Sequence, residues 1–222
     1  MERYFKTCYV VWCNLYGVLS IHALIMLQDH LKDFNIILAS GSPRRQQYFK
    51  ELQLDFTVQL KPVEEIYPPE LKGVAITDYL AELKASAFKD LNDNDILVTS
   101  DTIVWFEGEA LGKPTSPEQA KEMISKMSGK SHEVMTSICF TQKHQSKTVN
   151  YTTKVTFNPI SQEAISYYVD NFKPMDKAGA YGIQEWIGLI AIKSIEGSYP
   201  NVVGMPMHLV YEELLAIAAS TR

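Results

Sequence analysis

Ile36-Ile37-Leu38-Ala39-Ser40-Gly41-Ser42-Pro43-Arg44-Arg45 is an apolar strand running into a small-residue turn, a proline and two arginines. Pro43 suits the first position of a helix, where the missing N–H costs nothing, and Ser42 is a good N-cap. A helix start presents unpaired N–H groups and partial positive charge, so it attracts anions. Arg44 and Arg45 add forked donors that match phosphate geometry. Two readings stand for these ten residues: a phosphate cradle at a strand end, or an ordinary strand–turn–helix with solvated arginines.

Outward from this junction, periodicity and turn residues predict an alternating order of elements. A strand is expected over 35–39, a helix over 43–53 and a strand over 55–60. The next helix covers 75–91, with Tyr79, Leu80, Leu83, Ala87 and Phe88 on its apolar face. Residues 95–106 read as a strand interrupted near Ser100-Asp101-Thr102, followed by a hairpin turn at Glu107-Gly108-Glu109. Ser116-Pro117-Glu118-Gln119 has the capping-box pattern and opens a helix to about Met127. Two long β-rich runs, 132–141 and 147–157, are joined by a polar turn. Ser161 caps a helix ending before Pro174, a strand follows over 187–195, and a helix over 207–219 closes the chain. The expected fold is α/β: a mixed, twisted sheet with flanking helices, in two lobes around a central cleft.

The chain has 222 residues, 46% of them hydrophobic, and a net charge of −5. That length supports one α/β domain or two small lobes sharing a sheet. The acidic balance argues against a nonspecific nucleic-acid binder, which needs a basic face, while leaving room for a local basic pocket. Cys8, Cys13 and Cys139 lack metal-site spacing and are odd in number, so no disulfide framework is expected and a reducing cytoplasm fits. Residues 1–34 read as an N-terminal extension to a domain over 35–222. The largely apolar run 9–27, behind Arg3 and Lys6, admits three readings: a start assigned upstream of Met26, an apolar extension packed on the domain, or a membrane anchor.

Several side chains offer chemistry. Asp101, beside Thr102 after Ile96-Leu97-Val98, suits a general base or metal ligand, or a plain turn aspartate. Glu64-Glu65 suits a metal held through a phosphate, or an exposed acidic turn; Lys113 and Lys84 read singly as solvated lysines. Ser128-Gly129-Lys130-Ser131 is no Walker A loop: Ile124 stands where its first glycine belongs, and the segment follows a helix. His132 reads as a structural histidine. In Asp176-Lys177-Ala178-Gly179-Ala180-Tyr181-Gly182-Ile183-Gln184, small residues let backbone come close to a ligand, and the Gln184 amide can read a base edge. The link 197–206 is turn-rich and placed to cover a site.

Taken together, these segments resemble the Maf family. The resemblance rests on Ser40-Gly41-Ser42-Pro43-Arg44-Arg45, Ser100-Asp101-Thr102-Ile103-Val104, Gly112-Lys113-Pro114, Ser128-Gly129-Lys130 with His132-Glu133-Val134-Met135-Thr136, the 176–184 segment, and Gly197-Ser198-Tyr199 with Asn201-Val202-Val203-Gly204, in that order. It runs from about residue 35 to about 217. It implies a nucleoside triphosphate pyrophosphatase related in fold to inosine triphosphatases, cleaving between the α- and β-phosphates with Mg²⁺ or Mn²⁺. By resemblance, Asp101 is the proton acceptor, and Ser40, Arg44, Arg45 and Lys113 bind the triphosphate. Glu65 is a carboxylate near the metal, with Asp101 as a second candidate metal ligand, and Lys84 is a helix lysine facing the site. Arg44, Thr102 and Gln184 sort members by base, and the wording around Gln184 resembles the dTTP/UTP branch, not the one preferring 7-methyl-GTP. A cytoplasmic homodimer without nucleic-acid or membrane partners is implied. The alternatives are a nucleotide-binding regulator of cell division and an inosine/xanthosine triphosphatase. Ser100, Leu83 and Met205 depart from the family's usual alanine, Glu or Gln, and leucine.

Overall fold

The computed structural model describes residues 27–220. Cys8, Cys13, Met26 and nearly all of the apolar run 9–27 lie outside the described residues. Residues 27–31 are helical, and Leu27 and Leu31 are 2% and 5% exposed, packed into the same core as Ile36 and Leu38.

Strand β1 (Asn35–Leu38) leads through the turn at Ser40 into helix α1 (Pro43–Glu51), then strand β2 (Phe56–Val58) and helix α2 (Val74–Ser86). Strand β3 (Asp95–Phe106) forms a hairpin with β4 (Glu109–Leu111), and helix α3 (Pro117–Met127) follows. Strands β5 (Ser131–Thr141) and β6 (Ser146–Phe157), helices α4 (Gln162–Phe172) and α5 (Trp186–Ala191), strand β7 (Ile192–Glu196) and helices α6 (Tyr199–Val203) and α7 (Met207–Ser220) complete the chain. The seven strands form one mixed sheet in the order β2-β1-β3-β5-β6-β7, with β4 also on β3. The β2-β1-β3 part is parallel, joined through α1 and α2, and the remainder is antiparallel.

Alternation along β1 and β3 sorts their side chains to two faces. Ile36, Leu38, Ile96 and Val98 meet Phe49 of α1 and Val210 and Leu214 of α7. Ile37 and Leu97 meet Ala81 and Ala85 of α2 on the opposite face. A separate core gathers Val104, Val134, Val155 and Phe157, at the far end of the sheet, with Ile124 of α3, Tyr168 of α4 and Ile187 of α5. The expected mixed α/β architecture is therefore present, and the two cores leave a cleft between them.

Three local expectations change. The apolar face of α2 is Ile76, Leu80, Ala81 and Ala85, while Tyr79 points outward at 38% exposure. Small alanines let the helix sit close enough for Thr99 Oγ1 to donate to Ala81 O at 2.7 Å. Strand β3 is continuous: Ser100, Asp101 and Thr102 pair with Ile138, Ser137 and Thr136 of β5, so their polarity marks a site and not a break. The run 187–195 begins as a helix because Ile187 and Ala191, four apart, bury one face while Leu189 stands 83% exposed; only Ile192–Glu196 is strand. A short apolar run does not distinguish these forms by periodicity.

Candidate active site

The cleft begins where β1 leaves β3. Their pairing stops at Leu38 and Val98, and Ala39 N–H makes a last bond to Val98 O. On the same edge of β3, β4 does not begin until Val104, while β5 covers the other edge throughout. Among the described residues, 99–103 therefore have no strand partner on the cleft side. Arg45 fills that gap: its Nη1 donates to Ser100 O at 3.1 Å, Nη2 to Thr102 Oγ1 at 2.9 Å and Nε to Gly204 O at 2.9 Å. Burial pulls this guanidinium's pKa below its ordinary value, against the raising influence of Asp101. Thr102 Oγ1 also lies 2.9 Å from Thr136 Oγ1 and 3.3 Å from Gly204 O. Arg45 and Thr102 thus line the cleft while their polar atoms stitch its floor to the turn after α6.

At the start of α1, Pro43 occupies the first turn as expected, but the Ser42 side chain makes no cap bond. Instead Ser42 N–H donates to Ser40 Oγ at 3.3 Å, and Gln46 Nε2 to Ser40 O at 3.1 Å. The turn folds on Ser40, leaving the helix start without a hydroxyl cap. Arg44 reaches across the cleft, its Nη1 3.2 Å from Asp176 Oδ2 and its Nε donating to Val203 O at 3.3 Å.

Asp101 points from the sheet face covered by α2, where Lys84 Nζ lies 2.6 Å from its Oδ1. The same ammonium is 3.1 Å from Glu65 Oε1, so two carboxylates from different segments converge on one cation. Burial raises the Asp101 pKa above the ordinary value and outweighs the lowering by the Lys84 charge and hydrogen bond, and by Arg45. The carboxylate is consequently more basic than a solvated one.

Ser40, Arg44, Arg45, Glu65, Lys84, Asp101, Thr102, Lys113 and Gln184 all line one cleft of about 680 Å³. Their positions along the chain span most of its length, yet one concave surface collects them, large enough for a small-molecule ligand. Residues 35–217 match the family model described as Maf-like protein. The chain belongs to the Maf family. A Flavobacterium johnsoniae protein named dTTP/UTP pyrophosphatase is 58% identical to this Maf protein over 193 residues, 86% of this chain and 100% of the relative. One of the same name from Bacteroides thetaiotaomicron is 46% identical over 187 residues, 83% of this chain and 97% of the relative. The solved structure of the Staphylococcus aureus Ham1 protein aligns with a TM-score of 0.46 at 15% identity, covering 82% of this chain and 98% of that one.

In the Maf cleft, a divalent cation would meet hard oxygen donors from Asp101 and Glu65. Among the described residues no group of three or more His, Cys, Asp or Glu side chains is placed to hold a metal. Two carboxylates suit Mg²⁺ or Mn²⁺, which are commonly bound by one or two carboxylates plus substrate phosphates and waters. The donor set fits a cation that arrives with a triphosphate.

A second stretch of the cleft's lining comes from the segment 176–185, which contains a 3-10 turn over Ala178–Ala180. Gly179 N–H donates to Gly112 O at 3.1 Å, joining this segment to the loop that carries Lys113. Gly179 has φ +66°, and a Cβ there would lie 2.9 Å from Val104 Cγ2, so glycine is required. Behind the wall, Tyr181 Oη is 2.8 Å from His132 Nε2. His132 is structural, and burial lowers its pKa to about 4. The sequence reading did not single out Asp176 as the partner of Arg44, nor Glu185, Lys177 and Tyr168 beneath Gln184. Asp176 and Lys177 lay inside a segment already noted; Tyr168 sits mid-helix with nothing local to mark it. No helix among the described residues is long and apolar enough to cross a membrane.

Proposed function

We propose that the protein is a dTTP/UTP pyrophosphatase that hydrolyses these triphosphates to the nucleoside monophosphate and pyrophosphate. The observation that carries this reading is the placement of a buried, raised-pKa carboxylate, Asp101, with Lys84 and Glu65 in the same cleft as Arg44, Lys113 and the capless start of α1. The names of the full-length relatives, at up to 58% identity, support the base and the bond.

A triphosphate carries about four negative charges, and preorganised cations and backbone dipoles supply most of what its cleavage requires. Arg44, Lys113, Ser40 and the amides opening α1 hold the phosphates, with Arg45 stiffening the turn that presents them. A divalent cation, Mg²⁺ or Mn²⁺, supplies charge neutralisation at the phosphate oxygens when bound. Asp101 accepts a proton from water as the water oxygen bonds to one phosphorus of the α–β anhydride. The bridging oxygen departs with the other half, so one P–O bond forms and one breaks. Lys84 keeps Asp101 oriented and favours its ionised form. Gln184 faces the base, and Thr102 shapes the wall beside it. We place the enzyme in the cytoplasm as a homodimer without nucleic-acid or membrane partners.

The test incubates purified protein with canonical and modified triphosphates and Mg²⁺ or Mn²⁺, and identifies the products. Monophosphate and pyrophosphate, fastest from dTTP and UTP, are expected. Diphosphate and phosphate overturn the reading, a preference for inosine or xanthosine triphosphate reassigns the base, and tight binding without turnover indicates a regulator.

A further inference from the structure

Gln184 must do more than be present. Thymine and uracil offer a carbonyl acceptor at position 4, whereas cytosine offers an amino donor there. A carboxamide carries both a donor and an acceptor, and rotation about its last torsion presents either one. The distance and angle at which that amide meets a base edge depend on what fixes the segment bearing it. Gln184 is exposed and the segment has little regular structure: Gly179 and Ala180 both take positive φ, at 66° and 60°.

One buried hydroxyl holds this segment from below. Tyr168 Oη, on α4, accepts from Gly182 N–H at 3.0 Å and donates to Glu185 Oε2, so it binds the residues on either side of Ile183 and Gln184. Tyr168 is fully buried, and burial together with Glu185 raises its pKa, keeping the proton on the donor. Glu185 Oε1 is 3.1 Å from Lys177 Nζ, which is 2.6 Å from Asp176 Oδ1, and Asp176 in turn meets Arg44. A Cβ on Gly182 would lie 2.9 Å from both Glu185 Cδ and Lys177 Cε, so the clamp closes directly on backbone.

We infer that Tyr168, Glu185 and Lys177 are positioning residues for pyrimidine discrimination, fixing the Gly182–Glu185 backbone so that Gln184 accepts a thymine or uracil edge and rejects a cytosine edge. This rests on the pyrophosphatase reading above. The clamp acts through Gln184 and touches no phosphate, so its loss appears in the choice of base and in KM, and hardly in kcat on the preferred substrate.

The experiment measures kcat and KM for dTTP and dCTP in wild type, Tyr168→Phe, Gln184→Ala and the double variant, with amide hydrogen exchange over 178–185. Tyr168→Phe removes both hydroxyl bonds and is expected to lower the dTTP:dCTP ratio of kcat/KM roughly fivefold, the scale of one weakened hydrogen bond between Gln184 and the base. The change is expected in KM, with faster exchange of the segment's amides and no further loss of ratio in the Gln184→Ala background. An unchanged ratio, an equal loss in both backgrounds, or a kcat loss common to both substrates overturns the inference. Should Tyr168→Phe fail to fold, Glu185→Gln carries the same measurement, since it keeps an oxygen for Tyr168 and removes the charge facing Lys177. Pyrophosphate release from dTTP by wild type with an unmoved ratio defeats the clamp alone; no release by wild type defeats the pyrophosphatase reading, and the clamp with it.

Discussion

The two walls of the cleft are held by different means. The wall carrying Ser40, Lys84 and Asp101 is built on regular structure: the end of β1, the middle of β3, and α2 drawn close to the sheet by Ala81 and Ala85. The wall carrying Gln184 is a loop held by short backbone turns, among them Glu185 N–H to Gly182 O at 3.0 Å, and by side-chain contacts with Tyr168, Glu185, Lys177 and His132. Phosphate chemistry is common to all nucleotides and belongs on the stiff wall. Base choice belongs on the wall that a few substitutions can reshape.

The largest expected effect breaks the stiff wall. Asp101→Asn should lower kcat on dTTP by at least about 100-fold, in the range for removing a positioned acid–base group, as read by steady-state pyrophosphate release. Near-normal turnover would remove Asp101 as the base. The next tests the support of the loop wall. The folded-state pKa of His132, about 4, lies below its ordinary 6.5, so the unfolded chain takes up the proton first as pH falls. Stability is complete above about 6.5 and lost towards 4, amounting to about 2 kcal/mol between pH 7 and pH 5. Urea unfolding at the two pH values should show this slope in wild type and its absence in His132→Phe.

Lys84→Met removes the charge and hydrogen bond that lower the Asp101 pKa. The carboxylate then holds its proton to higher pH, so the acid limb of the kcat/KM profile moves upward and activity falls most at the acid end. A profile that drops without moving would give Lys84 a role in phosphate binding alone. Smallest is Gln184→Ala, expected to cut the dTTP:dCTP preference about tenfold while leaving kcat on dTTP within about threefold. Equal losses on every nucleotide would deny this wall its base-reading role.

The stiff wall was largely legible in the sequence and the loop wall only in outline. Ile36 to Arg45 carries its own punctuation, with strand, small residues, proline and arginines in order, because a strand end and helix start are specified locally. Asp101 was visible for a related reason: a carboxylate in a long apolar run must do something to be there. That same polarity misled the reading of β3, since an interruption and a buried polar site look alike until the register with β5 is known. Arg45 is legible as a candidate phosphate ligand, but its bonds to Ser100, Thr102 and Gly204 come from chain positions far apart and show only in the fold. Tyr168 was invisible for the same reason. The helical start of 187–195 was missed because its exposed Leu189 looks no different in sequence from a core leucine.

Arg44 and Lys84 already have carboxylate partners within the cleft: Asp176 for the first, Asp101 and Glu65 for the second. A triphosphate entering this cleft does not meet bare positive charge; it must trade places with side chains already seated there. A ligand bringing several charges and its own cation can draw Arg44 away from Asp176 while Lys84 stays on Asp101. The cleft therefore works as an ion-exchange site. Its occupancy should respond steeply to the number of charges on the ligand and fall as simple salt screens the partly exposed Arg44.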